Sequence, residues 1–284
     1  MLAQSLRLSF LAVFVNLLLF ALKLWAAWAS GSQALFSDAL NSLLDIFSSL
    51  IIFQAMRVGH KKPDKNHQFG HHRAEPIAAL IIAILAGILS FEVIRSAVFT
   101  LISPSAVVIT GPVLMVILLT IGLKTLLALS FRRMGRRTNS PSLRAMAIDF
   151  RNDILTSSLV ILAAVASLYS SYQIDSLVAI VIGLWIGYSG FSIASENLKY
   201  LMGESPDESV IHQIREKALE VEGVRHITHT RAQYVGNVIQ VDIHVALDNT
   251  LTLREAHDIG ELVEKSVKRL HIVTTVFVHI DPAY

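Results

Sequence analysis

The chain has 284 residues, of which 53% are hydrophobic and 16% charged, with a mean hydropathy of +0.56 and a formal net charge of +2. A wholly soluble globular domain would carry more charge, so this composition points to a polytopic membrane protein with some soluble mass attached. Cysteine is absent, which excludes disulfides and thiolate ligands together and leaves His, Asp, Glu and Asn as the metal donors.

Apolar windows of about 20 residues or more lie near 8–29, 34–56, 75–102, 108–130, 143–170 and 175–199. That predicts six membrane spans. The first, preceded by Arg7 and closed by Ala27-Trp28-Ala29, has the outline of a signal peptide. Its run from Leu8 to Ala29 is too long for an h-region and reads as a spanning helix. Arg57, Lys61, Lys62, Lys65 and Arg73 crowd the second connection, and Arg132, Arg133, Arg136, Arg137 and Arg144 the fourth. The other connections, ASGSQ, ISPSAVVITGP and YSSYQID, have no Lys or Arg. The positive-inside rule then puts both termini in the cytoplasm, and an even number of spans agrees with that.

The second span carries Asp38, Asn41 and Asp45, and helical periodicity places Asp38 and Asp45 within about 20° of each other, with Asn41 about 60° away. The fifth carries Asp149 and Asp153 one turn apart. A charge in hydrocarbon costs at least roughly 2.5–3.5 kcal/mol and usually marks an ion or proton pathway. Counting about 1.5 Å per residue from Ser142 puts Asp149 and Asp153 about 10–17 Å deep, and Asp45 lies about as deep from the other side. Three carboxylates and an amide, Asn41, Asp45, Asp149 and Asp153, thus make a site for a hard or borderline divalent ion. Mutual repulsion and desolvation make three bare charges unfavourable, so protons are expected to replace a departing ion. Asp38 is an accessory candidate, or a partner for Lys23 of the first span. Lys124 of the fourth span is expected to snorkel toward the cytoplasm, and Glu92 and Arg95 of the third to form an internal ion pair.

In the second connection, KKPDKNHQFGHHRAE, Asp64, His67 and His71 are spaced to bind a Zn²⁺-like ion, with Gly70 allowing a turn between them. His60 and His72 read as surface residues.

From about Ser205 a charged, punctuated segment begins, giving domain limits of 1–203 and 204–284. Ser205-Pro206-Asp207-Glu208 predicts a capped helix to about Val221. Arg225 to Tyr234 and Val238 to Leu247 predict a hairpin around Gly236-Asn237, with Ile239, Val241, Ile243 and Val245 alternating with polar residues. Thr252-Leu253-Arg254-Glu255 predicts a second capping box and a helix to about Leu270. Val273 to Ile280 closes the chain as a strand. The order αββαβ implies a small α+β sandwich with both helices on one sheet face. His226, His229, His244, His257, His271, His279 and Asp281 are dense for so small a domain, and His279 and Asp281 share a strand face.

With these motifs in place, the chain resembles a cation diffusion facilitator along nearly its whole length. D-x-x-N-x-x-x-D at 38–45 with D-x-x-x-D at 149–153 is similar to the paired motifs of that family. PDKNHQFGHHRAE and VFVHIDP resemble phrases of its bacterial zinc and ferrous-iron efflux subgroup. The resemblance implies a six-helix all-α membrane bundle with a metallochaperone-like cytoplasmic domain, in a bacterial inner membrane. It implies a homodimeric, proton-coupled exporter that is not an enzyme, has no cofactor, and takes divalent ions as substrate and regulator. Its partners are then the lipid bilayer, divalent cations and protons, with no nucleic acid. The transport site would be Asn41, Asp45, Asp149 and Asp153, and a loop site Asp64, His67 and His71. A cytoplasmic interface site would draw on His226, His244, His257, His279 and Asp281. Arg73 would pair with Glu204 or Asp207 to tie bundle to domain.

Zinc-selective members usually place a His at one or both of the positions where Asn41 and Asp149 stand here. Without imidazole the site favours Mn²⁺, then Fe²⁺, over Zn²⁺ or Cd²⁺, and the exchanged proton has to ride on a carboxylate such as that of Asp149. The alternative reading is a metal receptor or passive channel without proton exchange. A receptor has no use for Asp45 and Asp153 at mid-membrane, and a channel needs no returning proton.

Overall fold

The computed structural model describes the backbone of residues 2–30, 33–102, 111–167 and 172–283. Their side chains are described except at 2, 3, 27, 29, 30, 33–41, 44, 112, 160, 163–167, 172–176 and 178. The helices are α1 (Leu2–Ser30), α2 (Gln33–Gly59), α3 (Ala74–Ile102), α4 (Gly111–Thr138), α5 (Pro141–Ser167), α6 (Tyr172–Met202), α7 (Glu208–Leu219) and α8 (Leu253–Val267), and the strands β1 (His226–Val235), β2 (Val238–Asp248) and β3 (Val273–Ala283). They form two compact units, Met1–Asn197 and Leu198–Tyr284.

In the first unit, four helices are long and apolar enough among the described residues to cross a membrane, through Gln4–Ala26, Ala74–Ile102, Val113–Thr138 and Ala179–Met202. The six spans expected from hydropathy therefore resolve into these four and two further long helices, α2 and α5. Parts of those two, 33–41 and 44 in α2 and 160 and 163–167 in α5, have side chains outside the described residues. Helix α5 carries Arg144, Asp149, Arg151 and Asp153, and α2 sets Asp45 among Ser42, Ser48 and Ser49. Helices α2 and α5 thus bring ionisable groups into the bundle.

Large apolar side chains face outward, among them Phe10, Phe14, Trp28, Phe91, Phe99, Met115, Trp185 and Phe191. A bilayer makes that inversion favourable, since lipid takes the place of water around the bundle. Inside, Ile52 and Met56 of α2 pack with Ala78, Ala79 and Ile82 of α3, Leu127 and Phe131 of α4, and Leu143, Met146 and Phe150 of α5. Phe131 and Phe150 meet edge-on at 5.2 Å, the arrangement ring quadrupoles favour. Small residues let α6 approach α3 closely. A Cβ on Gly190 would lie 3.0 Å from the Ala83 carbonyl oxygen, and Ser90 Oγ donates to the Gly183 carbonyl at 2.8 Å.

In the second unit, β1 and β2 are antiparallel and joined by a turn in which Gly236 has φ of 70°, a conformation that costs glycine little. Strand β3 pairs parallel to β2, giving the order β1-β2-β3. Ile239, Val241, Ile243 and Val245 are fully buried with Ile214 and Ala218 of α7 and Val263 and Val267 of α8. The period-two pattern therefore sends its apolar set under the helices and leaves Gln240, Asp242 and His244 on the other face. The capping box forms at α8, where Thr252 N–H donates to Glu255 Oε2 at 2.8 Å and Thr252 Oγ1 accepts from Glu255 N. The box expected at α7 does not. Its N-cap is Asp207, without a side-chain cap bond, and Ser205 Oγ donates to the Pro206 carbonyl instead. The Val210 and Ile211 amides go to the Asp207 carbonyl, at 2.8 and 3.2 Å.

Candidate metal centre

Helices α2 and α5 bring Asp45, Asp149 and Asp153 together, each offering a carboxylate oxygen within 4.8 Å of the others. The four-residue spacing of Asp149 and Asp153 puts both on one face of α5, and Asp45 answers from α2. Asn16 of α1 fixes that part of α2. Its Nδ2 donates to the Asp45 carbonyl at 3.1 Å and to Ser49 Oγ at 2.6 Å, while Ser49 Oγ donates to the same carbonyl at 2.8 Å. The trio is largely withdrawn from solvent, with Asp149 at 7% and the Asp45 and Asp153 side chains at 17% and 15% exposure.

The fourth helix supplies a residue that sequence reasoning placed elsewhere. Lys124 does not snorkel. It is 1% exposed, and its Nζ donates to Asp45 Oδ2 at 2.9 Å and to Asp153 Oδ2 at 2.6 Å. The same ammonium lies 5.0 Å from the centre of the Phe150 ring. An ammonium shut away from water needs charged partners, and Asp45 and Asp153 supply them. The signal that pointed to it was an ionisable residue alone in the apolar run from Val113 to Leu129. Asp149 Oδ2 is buried with no hydrogen-bond partner among the described residues, as are both side-chain polar atoms of Asn152, one turn away. Lys124 thus answers two of the three carboxylates. Asn41 and Asp38 lie on α2, and their side chains are outside the described residues, as is any pairing of Asp38 with Lys23. Lys23 is buried, at 6% exposure. Glu92 and Arg95 do pair, at 2.5 Å, near the far end of α3.

The connection between α2 and α3 gathers Asp64, His67 and His71, with donor atoms again within 4.8 Å of one another. Asp64 Oδ1 accepts from the His67 and Asn66 amides at 2.7 and 2.9 Å, His67 Nδ1 lies 3.4 Å from it, and His71 Nε2 is 3.2 Å from Asp64 Oδ2. Gly70 makes the return turn at φ of 86°. The amide bond from His67, above all, holds the Asp64 carboxyl below the usual carboxylate range. His72 is half-buried rather than a free surface residue, and burial pulls its pKa down.

In the second unit, His244, His279 and Asp281 converge on the sheet face away from the helices. The His244 and His279 rings are 4.6 Å apart, and Asp281 lies 3.7 Å from His244 Nδ1 and 3.3 Å from His279 Nε2. Thr228 Oγ1 donates to Asp281 at 2.5 Å and is the main reason its carboxyl sits low. His226 and His257 are not in this trio. His226 stands across from Ala246 at the start of β1, and His257 on α8 lies 3.7 Å from Glu261. His229 is 5.5 Å from His244 ring to ring. Glu204 accepts from Lys199 at 3.2 Å, Asp207 caps α7, and Arg73 is an exposed residue of the first unit.

The model of the cation efflux transmembrane domain matches residues 9–202, and that of the cation efflux protein cytoplasmic domain residues 206–283. The manganese efflux system protein MneS of Bacillus subtilis is 29% identical over 94% of this chain and 91% of its own. The cation-efflux pump FieF of Escherichia coli O9:H4 is 29% identical over 93% of this chain and 88% of its own. Among solved structures, the MamM CTD is 34% identical over 27% of this chain and 98% of that one, with a TM-score of 0.26.

Proposed function

The chain belongs to the cation efflux, or cation diffusion facilitator, family, and from that premise we propose that it exports divalent metal ions in exchange for protons, Mn²⁺ first and Fe²⁺ next. The convergence of Asp45, Asp149 and Asp153 inside the apolar bundle carries this reading. A receptor on the cytoplasmic side has no use for three carboxylates there, whereas a transporter must strip and hold its ion at depth. The protein donors are oxygens, with the Asn41 carbonyl completing the set. That suits Mn²⁺ and Fe²⁺ better than an imidazole-loving ion. MneS is named for manganese efflux, which supports the same order.

In the proposed cycle the chain crosses the membrane six times with both termini in the cytoplasm. The ion enters from that side, the bundle rocks, and protons take the carboxylates as the ion leaves outward. Two chains form the working homodimer through the C-terminal unit. His244, His279 and Asp281 serve there as a regulatory metal site, with His226 and His257 as outer contributors, and Asp64, His67 and His71 hold an ion at the membrane's inner edge. Arg73 with Glu204 or Asp207 would transmit the state of one unit to the other.

Uptake of Mn²⁺, Fe²⁺, Zn²⁺ and Cd²⁺ into proteoliposomes tests this, with Asp45→Ala as control. The expected result is Mn²⁺ flux above Zn²⁺ flux, lost in the variant. Faster Zn²⁺ flux would overturn the oxygen-donor argument, and the absence of flux for every ion would replace transport with a receptor role.

A further inference from the structure

We propose that Lys124 is a tethered counter-cation of the transport site, a competitor that an incoming divalent ion must displace and that keeps monovalent cations out. The inference rests on the transport-site reading above and deepens it.

The ammonium occupies the position a substrate would want. It lies 2.9 Å from Asp45 Oδ2 and 2.6 Å from Asp153 Oδ2, on a side chain 2% exposed. Both carboxylates belong to the trio whose donor atoms lie within 4.8 Å of one another. A metal ion and Nζ cannot both take these oxygens at bonding distance, so binding is an exchange. The Phe150 ring lies 5.0 Å from the ammonium, giving the displaced group an aromatic face to rest against.

The exchange separates ions by valence. A tethered group competes at a high effective concentration that no free monovalent ion matches. Na⁺ or K⁺ would bring the same single charge, gain no Coulombic energy over the ammonium, and still have to lose water. A divalent ion doubles the attraction to every carboxylate and also engages Asp149, whose Oδ2 has no hydrogen-bond partner among the described residues. Lys124 therefore lowers affinity for the substrate in return for rejecting abundant monovalent ions, and it hastens release by recapturing Asp45 and Asp153, which leaves Asp149 to take the exchanged proton.

The test is a Mn²⁺ titration of the intact solubilised protein at one fixed pH, 8, for every variant. Wild type and Lys124→Met are both prepared with His71→Ala and His279→Ala, so that the two peripheral clusters contribute little. The Met variant is expected to bind Mn²⁺ at least about tenfold tighter, the effect of removing one charge-assisted competitor. NaCl should weaken its binding beyond the change choline chloride causes, while wild type shows no such difference. Where the Met variant does not fold, Lys124→Gln, uncharged but still a hydrogen-bond donor, carries the same expectations. Equal or weaker Mn²⁺ binding without Lys124 would overturn the proposal, and so would an Arg variant that binds as tightly as the Met variant. The parent reading fails separately, if Asp45→Asn/Asp153→Asn in the same background binds Mn²⁺ as wild type does.

Discussion

At the scale of single residues, the three aspartates of the bundle are not equivalent. Asp45 and Asp153 each accept from Lys124, whereas Asp149 Oδ2 has no hydrogen-bond partner among the described residues. Asp45→Asn or Asp153→Asn should therefore abolish Mn²⁺ uptake and also destabilise the ion-free protein, by about 1–3 kcal/mol for a weakened buried charged bond. Asp149→Asn should abolish uptake with little loss of stability. Thermal unfolding of the ion-free variants beside their uptake rates checks the contrast. The aspartates were legible in the sequence because a charge in an apolar run is conspicuous on its own. Lys124 was equally conspicuous, yet its role was not legible, because helical periodicity fixes directions within one helix and says nothing of which helix lies opposite. Asn16 was hidden for the same reason. Its two bonds to α2 cannot be inferred without knowing that α1 packs there.

At the scale of elements, boundaries that rest on local chemistry were readable and those that rest on competition were not. Thr252 and Glu255 satisfy each other's backbone amides, and the predicted start of α8 is the observed one. At α7 the same kind of signal failed, because Ser205 turned its hydroxyl to Pro206 and left Asp207 as the cap. Thr252→Ala should accordingly cost about 1 kcal/mol, seen as faster hydrogen exchange in the first turn of α8. The equivalent change Ser205→Ala should leave α7 unaffected. Gly190 tests the packing of α6 on α3. A side chain there meets the Ala83 carbonyl oxygen at 3.0 Å and Ala86 Cβ at 3.2 Å, so Gly190→Ile should force the helices apart. The cost is that of overpacking, about 1–3 kcal/mol, read as a lower unfolding temperature in detergent.

At the scale of the whole molecule, the structure divides into a helical unit, Met1–Asn197, and an α+β unit, Leu198–Tyr284, where the sequence reading put the limits at 1–203 and 204–284. Hydropathy read α2 and α5 as spans like any other. Asp45, Asp149 and Asp153 set those two apart, since a charge at depth in an apolar bundle is costly. The histidines of the C-terminal unit were legible as a group but not in their grouping. Strand register unites His244, His279 and Asp281, and it leaves His257 on a helix beside Glu261. If the trio regulates, His279→Ala should remove the effect of metal on the C-terminal unit while Asp45-dependent flux persists, which separates sensing from transport in one preparation.

The central claim is that one carboxylate site exchanges a divalent ion for protons. Its most direct test follows Mn²⁺ and internal pH together in proteoliposomes of wild type and Asp153→Asn, with and without an imposed pH gradient. The account predicts that Mn²⁺ entry is accompanied by proton exit, is accelerated by an acid interior, and that both movements vanish in the variant. Mn²⁺ entry that ignores the gradient and leaves internal pH unchanged would contradict it and make the protein a passive conductor of metal.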